Sequence, residues 1–162
     1  MTSFADSYLG QLRALVGSRE LLVPGTRIVI ENEAGHILLD FRPDFLRWAL
    51  PGGACEPSER VEETIVREVF EESGLVITDV KPIGFASDPA WETTTFPNGD
   101  VCRNFAMIFT TRAFEGEPVP RDGEALEYRW FDPHDLPDMV ANHRRSVDAW
   151  LRWKAGGGFQ FT

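Results

Sequence analysis

The chain is short of cysteine and has no long apolar run. Cys55 and Cys102 are its two cysteines among 162 residues, and they form no Cys-x-x-Cys pair. This argues against a zinc ribbon and against a disulfide-stabilised secreted fold, so we expect two free thiols in the reducing cytoplasm. No apolar run approaches membrane length, and the first six residues do not resemble a leader. We therefore expect no membrane anchor.

Basic residues are also scarce. The chain has 16 Lys and Arg against 26 Asp and Glu, which gives a formal net charge of −10. A polymeric nucleic acid is an unlikely partner for such a surface, because binding a polyanion needs a basic face. A small or metal-chelated anionic ligand is favoured instead. With 43% hydrophobic and 12% aromatic residues, the composition is that of a globular protein.

The pattern of the chain predicts one α/β domain over residues 1–162, with a mixed sheet and no linker. An N-terminal helix is expected within 1–20, a core over 26–137, and a C-terminal helix and tail over 142–162. Spacing and breaker residues predict helices at 3–17, 59–73 and 142–154, and strands at 26–31, 36–42, 75–87, 101–111 and 126–131.

Two local details accompany this prediction. The strands at 26–31 and 36–42 are separated by a Glu33-Ala34-Gly35 turn, which suggests a hairpin. The N-terminal helix is amphipathic, and two alternatives stay open for its apolar side: it packs on its own domain, or on a second copy in a homodimer.

Residues 53–75 hold an unusual density of acid. Seven glutamates and two arginines lie in this segment, so its local charge is −5. On a helical wheel, Val61, Ile65 and Val69 define the buried stripe; Glu68 and Glu72 fall in or beside it. At an effective dielectric near 20, two charges about 5–6 Å apart repel by roughly 3 kcal/mol. Such carboxylates either raise their own pKa values or recruit a cation.

The alternative to a cation site is a solvated acidic helix, which is what acidic runs usually are. Against it stands the full pattern Gly53-x5-Glu59-x7-Arg67-Glu68-Val69-x-Glu71-Glu72-x-Gly74-Leu75. This segment resembles the signature box of the Nudix hydrolases at every position. The lead-in Trp48 to Gly53 and the segment Tyr128 to Phe131 also resemble the family. The likeness covers roughly residues 26–137.

The resemblance implies the Nudix α/β/α sandwich with a mixed sheet. It also implies hydrolysis of a nucleoside diphosphate linked to another group, with Mg²⁺ or Mn²⁺ as cofactor. By resemblance, the metal ligands are Glu68, Glu71, Glu72 and the backbone carbonyl of Gly52. Gly53, Glu59 and Arg67 would support the site structurally.

The resemblance leaves the general base open. The first candidate is Glu124, in the loop before the 126–131 strand, where the family commonly supplies a further carboxylate. Glu127 is the second candidate and Asp122 the third, and each is also readable as a solvated acid in a loop. Glu68, inside the box, is an alternative base.

Substrate contacts are the least determined part of the sequence. Phe85, Trp91 and Phe96 are candidate stacking partners for a nucleobase, against the blander interpretation of core aromatics. Arg27, Arg42 and Arg103 are candidate phosphate ligands or else members of ion pairs; Arg42, Trp91 and Arg103 are the predicted substrate-binding set. The histidines at 36, 134 and 143 show no ligand spacing and are expected to be surface or structural residues.

We therefore predict a cytoplasmic, Mg²⁺-dependent Nudix pyrophosphohydrolase. Pro89, fifteen residues after Gly74, resembles a feature of ADP-ribose pyrophosphatases. An ADP-sugar is accordingly favoured over an oxidised nucleoside triphosphate. The rival classes are a Nudix-fold module that senses a nucleotide without cleaving it, and an adaptor with an acidic helix.

Overall fold

The larger sheet of the computed structural model is built on one long central pair of strands. The structure describes residues 4–121 and 123–162. Strand β1 (Leu21–Ile30) runs parallel to β7 (Val101–Thr111) over the whole length of β1, from the Leu21–Cys102 pair to the Ile30–Thr111 pair. The sheet continues from β7 through antiparallel β5 (Lys81–Ala86) to the short β10 (Gln160–Phe161), and β6 (Thr93–Thr95) also pairs with β7.

A second, three-stranded sheet has the order β3-β2-β9 and is antiparallel. Its strands are Arg47–Ala49, Ile37–Arg42 and Glu127–Phe131. A two-stranded ladder joins β4 (Val76–Thr78) to β8 (Ala113–Glu115). The helices are α1 (Tyr8–Val16), α2 (Val61–Ser73), the short α3 (Pro89–Glu92) and α4 (Ala141–Lys154), with a 3₁₀ turn at Phe4–Asp6.

Strand β1 places the core on both of its faces. Ile28 and Ile30 pack in a cluster with Ile65 and Val69 of α2, whereas Val29 packs in a separate cluster with Trp150 of α4. Successive side chains of a strand point to opposite faces, so one strand serves two layers. The mixed sheet thus lies between α2 and α4, which confirms the predicted α/β/α sandwich.

The predicted hairpin between residues 26–31 and 36–42 is wrong. The turn forms, with Gly35 at a φ of +79°, but only the Glu31–Ile37 bridge joins the two strands. Beyond it, β1 pairs with β7 and β2 pairs with β3 and β9. Each residue of β1 pairs with one that lies about eighty residues further along the chain, which local turn signals do not reveal.

Helix α1 packs on its own chain through Arg13, which is buried and donates to the carbonyl oxygens of Gly17 and Val101. Contact of α1 with a second copy stays a prediction. Within residues 4–121 and 123–162, no helix is both long enough and apolar enough to cross a bilayer.

Candidate functional site

Helix α2 presents its carboxylates in an order of increasing exposure. The side chain of Glu72 is 2% exposed, that of Glu68 17% and that of Glu71 35%. This order follows from their positions on the helix, because Ile65 and Val69 set the buried stripe that Glu72 borders. The helix ends where predicted, at Gly74, which adopts the left-handed conformation with a φ of +77°.

Arg67 ties the acidic side chains together. Its Nη1 lies 2.9 Å from Oε1 of Glu68 and 3.2 Å from Oε2 of Glu71. Its Nη2 donates to Oε2 of Glu59 at 3.0 Å and to the carbonyl oxygen of Ala54 at 3.2 Å. A planar guanidinium can satisfy several acceptors at once, so one residue orients three carboxylates and the loop before α2.

Glu59 anchors that loop from its other side. Besides Arg67, its Oε2 accepts from the hydroxyl of Thr64 at 2.9 Å and from the amide of Glu56 at 3.2 Å. The hydrogen bonds from Arg67 lower the pKa of Glu59 to about 2, with Thr64 and the Glu56 amide adding to the effect. Glu59 is therefore ionised and pinned, as a support residue would be.

Glu68 is held against the backbone of the glycine pair. A Cβ on Gly53 would lie 2.3 Å from Cδ of Glu68, so only glycine leaves this carboxylate its position. Burial raises the pKa of Glu68 to about 7; Arg67 opposes the rise, and the charges of Glu124 and Glu71 add to it. A carboxyl group with this pKa exchanges protons near neutral pH.

We expect Gly53→Ala to lower kcat at least about tenfold, because the new methyl group would force the Glu68 carboxylate out of place. The φ of Gly53 is not among the positive values of the chain, so alanine suits the backbone itself. Steady-state kinetics would check the fall in kcat, and a thermal melt would check that the fold tolerates the alanine. Unchanged turnover would contradict the close contact between Gly53 and Glu68.

At Gly52 the backbone approaches strand β1 too closely to leave room for a side chain. A Cβ there would lie 2.1 Å from the carbonyl oxygen of Thr26. The segment is fastened to β1 because the amide of Ile28 donates to the carbonyl of Pro51 at 3.0 Å, and that of Thr26 to the carbonyl of Gly53 at 2.9 Å. The two glycines thus lie in a fixed position between β1 and α2.

Glu72 is the most electrostatically demanding residue of the site. Its Oε2 is buried and finds no hydrogen-bond partner among the described residues. Nη1 of Arg42 lies 3.9 Å from its Oε1. Burial raises the pKa of Glu72 well above the ordinary value, and the charges of Asp40, Glu68 and Glu124 raise it further. A buried carboxylate in this state needs a proton or a cation.

The donor set fits a hard divalent cation. Glu68, Glu71 and Glu72 offer only oxygen atoms, which Mg²⁺ and Mn²⁺ prefer. Among the described residues, no group of three or more Asp, Glu, His or Cys side chains is arranged to hold a metal ion by itself. Mg²⁺ commonly takes one or two carboxylates and completes its shell with water and substrate phosphate, so it does not require such a group.

A cleft of about 750 Å³ opens onto Glu68 and Glu71, whereas Glu72 is not among the described residues that line it. Its lining includes Glu68, Glu71, Arg67 and both glycines of the lead-in, together with Arg42 and Glu124. Nη1 of Arg42 lies 3.2 Å from Oε2 of Glu124, so this pair spans from the buried Glu72 to the open cleft.

The other base candidates are placed differently. Glu127 is on β9, pairs with Arg129, and is not among the described residues that line the cleft. Asp122 lies outside the described residues. Of the two described candidates, Glu124 and not Glu127 therefore lies at the box, where its charge acts on Glu68 and Glu72.

Three of the predicted substrate contacts lie elsewhere. Phe85, Trp91 and Arg103 are not among the described residues that line the cleft. The indole of Trp91 lies under the guanidinium of Arg145, 4.6 Å from its ring centroid. Arg103 covers Phe105 at 5.0 Å and donates to the carbonyl of Ser87.

The remaining candidates, Arg27 and Phe96, do line the cleft. Arg27 is buried in an ion pair with Glu92, with Nη1 and Oε1 2.9 Å apart, which leaves its charge already neutralised. Phe96 packs against Phe45, with ring centroids 5.5 Å apart.

Sequence reasoning missed several lining residues. Phe45 and Asn104 carried no signal beyond their residue type, and α1 gave no hint that it reaches the cleft. His143, expected to be surface or structural, is half-buried and lines the cleft, and its Nδ1 accepts from the amide of Leu50 at 3.0 Å. Burial and the charges of Arg27 and Arg42 lower the pKa of His143 well below its ordinary value.

Comparison with known proteins agrees with this geometry. The family model described as NUDIX domain matches residues 21–151, a wider range than the 26–137 that resemblance alone covered. An ADP-ribose pyrophosphatase of Methanocaldococcus jannaschii is 35% identical over 109 residues, which are 67% of this chain and 60% of that protein. The chain thus spans less than two thirds of the length of this relative.

A second relative and a solved structure also resemble this chain. A putative 8-oxo-dGTP diphosphatase of Bacillus subtilis is 30% identical over 125 residues, 76% of each chain. The crystal structure of a MutT NUDIX hydrolase from Burkholderia pseudomallei superposes with a TM-score of 0.66 at 26% identity, covering 80% of this chain and 98% of that one. The box predicted from the sequence is therefore confirmed at the level of the family: the chain belongs to the Nudix hydrolases.

Proposed function

We propose that the chain hydrolyses a pyrophosphate linkage in a nucleoside diphosphate derivative with the help of Mg²⁺ or Mn²⁺. The observation that carries this proposal is the buried Oε2 of Glu72, which has no hydrogen-bond partner among the described residues and lies beside Glu68, Arg42 and Glu124. Folding a carboxylate into such a place costs free energy, and a cation held there offsets the cost.

Glu68, Glu71, Glu72 and the Gly52 carbonyl would hold the cation. When bound, it would supply positive charge to the phosphate oxygens and lower the pKa of a coordinated water. The chain itself orients these ligands, since Arg67 fixes Glu68 and Glu71, and Gly53 leaves room for Glu68.

Glu124 is proposed as the general base. Its carboxylate is 56% exposed at the cleft, so water reaches it, and Arg42 holds it at 3.2 Å. It would take one proton from the attacking water while the new P–O bond forms and the bridging P–O bond breaks. Glu68, with its pKa near 7, is the alternative base.

We expect Glu124→Gln to lower kcat by about 10²-fold and to leave KM within a few-fold, because the amide keeps its shape but cannot accept the proton. Glu127→Gln is the matched control on the neighbouring strand and should leave both parameters unchanged. An effect of Glu124→Gln on KM alone would make Glu124 a binding residue and return the base role to Glu68.

The substrate class is proposed with an order of preference. An ADP-sugar is favoured because the relative with the higher identity is named an ADP-ribose pyrophosphatase, and an oxidised nucleoside triphosphate is second because the other is named a putative 8-oxo-dGTP diphosphatase. The partner in either case is a small nucleotide.

A panel of nucleotides decides between these readings. ADP-ribose, ADP-glucose, diadenosine polyphosphates, NADH, 8-oxo-dGTP and the ordinary dNTPs would be incubated with Mg²⁺, with Mn²⁺ and with EDTA, and the release of phosphate and nucleotide followed. Metal-dependent cleavage of one class is the expected result. If no member is cleaved while metal still raises Tm, the site either acts on a nucleotide outside the panel or senses a ligand without cleaving it.

A further inference from the structure

Helix α1 precedes the region shared with the family, yet it forms part of the cleft. The family match begins at residue 21, whereas α1 ends at Val16. Phe4 and Leu9 nevertheless line the same cleft as the carboxylates of α2. The wall that they form thus lies outside the residues that the family model matches.

The N-terminal end of α1 is fastened to the loop of the box. The amide of Tyr8 donates to both carboxylate oxygens of Glu56, at 3.1 and 3.3 Å. Ser7 caps the helix by accepting from the amide of Gly10 at 3.1 Å. The amide of Glu56 in turn donates to Glu59, which Arg67 holds. A continuous set of hydrogen bonds therefore joins α1 to the site.

The other end of α1 is fastened to the start of β7. The buried Arg13 donates to the carbonyl of Val101 and, at 3.0 Å, to Sγ of Cys102; its Nε lies 3.8 Å from Asp100. Nine helical residues span about 13 Å. Since Glu56 and Cys102 both line the cleft, α1 extends along it from the box to β7.

The surface that α1 and the 3₁₀ turn before it add to the cleft combines two apolar side chains, Phe4 and Leu9, with the polar Asp6 and Ser7. Phe4 is 60% exposed and Leu9 half-buried, and the Phe45–Phe96 ring pair lines the same cleft. Apolar and aromatic side chains beside a site for phosphate and metal match a nucleotide, which joins a flat, poorly hydrated base to charged phosphates.

We propose that α1 and the 3₁₀ turn before it form a specificity-determining wall that contacts the nucleobase of the substrate through Phe4 and Leu9, and that Glu56 is the positioning residue that holds this wall in place. The proposal rests on the proposed function, because it takes the ligand to be a nucleotide. The base gains binding free energy from the apolar contact, whereas the phosphates gain it from the box.

The test compares Leu9→Ala with Leu15→Ala. Leu15 is on the same helix, is 82% exposed, and is not among the described residues that line the cleft. AMP, GMP and ribose 5-phosphate would be titrated calorimetrically in Mg²⁺, where no turnover interferes. For Leu9→Ala we expect the Kd of a nucleotide that binds wild type to rise about fivefold to tenfold. The Kd of ribose 5-phosphate, and all values for Leu15→Ala, should stay unchanged.

Phe4→Ala, at an exposed position, should show the same pattern without risk to folding, and Glu56→Gln should raise KM more than it lowers kcat. Equal nucleotide Kd values for wild type, Leu9→Ala and Phe4→Ala would overturn the wall, as would an equal loss of ribose 5-phosphate binding or no binding of either nucleotide by wild type. Nucleotide binding that depends on Leu9 in a chain that cleaves nothing would overturn the proposed hydrolysis and keep the wall.

Discussion

Replacement of Glu72 by Gln is expected to lower kcat at least about a hundredfold and to raise Tm in EDTA. The loss of rate follows because the amide keeps the shape of the side chain but removes the charge that would hold the cation. The gain in Tm follows because the wild-type chain, without metal, buries a carboxylate whose Oε2 has no partner among the described residues. An amide carries no charge to desolvate, so the folded state of the variant is less penalised.

The pH dependence of Tm gives the sign of this effect independently. The folded-state pKa values of Glu72 and Glu68 lie above the ordinary glutamate value. In the pH range from the ordinary value up to the folded-state values, the folded chain therefore binds more protons than the unfolded chain. The free energy of unfolding in EDTA should therefore fall as pH rises from about 5 to about 8. Glu72→Gln should show a shallower fall, and Mg²⁺ should flatten the wild-type curve.

Glu62→Gln is the matched control for this variant. It removes the same charge from the same helix at a side chain that is 39% exposed and paired with Arg60. Kinetics and melts of both variants, each in EDTA and in Mg²⁺, separate a local role from a change in overall charge. Wild-type turnover in Glu72→Gln would refute the assignment of this carboxylate to the metal.

Replacement of Arg67 by Met is expected to destabilise the fold by about 2–4 kcal/mol and to lower kcat by about 10²-fold. The side chain is 27% exposed and contacts Glu59, Glu68, Glu71 and the carbonyl of Ala54. Removing one cation leaves three carboxylates without their common donor, a cost in the lower part of the range for breaking a buried pair. For a chain of this size the loss corresponds to a fall in Tm of roughly 5–15 °C.

The comparison for this prediction is Arg144→Met. Arg144 forms an i,i+4 ion pair with Asp148 at 3.3 Å, and both side chains are more than 40% exposed. An exposed pair contributes about 0–1 kcal/mol, so Tm should move little. Urea melts of Arg67→Met, Glu59→Gln and the double variant would measure the coupling between Arg67 and Glu59. A coupling near zero would contradict the role of Arg67 as the centre of this network.

The local sequence pattern correctly predicted structural features that depend on the residues of a single helix. The helical-wheel position of Glu72 beside Ile65 and Val69 predicted its burial. This works because the pitch of a helix is fixed, so the spacing of residues in the sequence determines which face of the helix each one occupies. Gly74 predicted the end of α2 for a similar reason, since a positive φ is easily reached by glycine.

The sequence pattern did not predict which side chains of β7 and α3 face the cleft, because this depends on contacts with distant segments of the chain. Arg103 alternates along β7 with Cys102 and Asn104, so these residues point to opposite faces of the sheet. Of these three residues, Cys102 and Asn104 line the cleft and Arg103 does not, because the packing of the sheet decides which face meets the cleft. Trp91 is adjacent to the buried Glu92 in α3. The ion pair of Glu92 with Arg27 fixes the orientation of α3, and in this orientation Trp91 does not line the cleft.

The family, the acidic helix and the sandwich could be predicted from the sequence alone, because these depend on residue types at short, regular spacing. The tertiary structure alone decided that β1 pairs with β7 instead of β2, that Glu124 and Arg42 meet at the box, and that α1 lines the cleft. Each of these joins segments far apart in the chain, and such contacts follow from the burial of many surfaces at once.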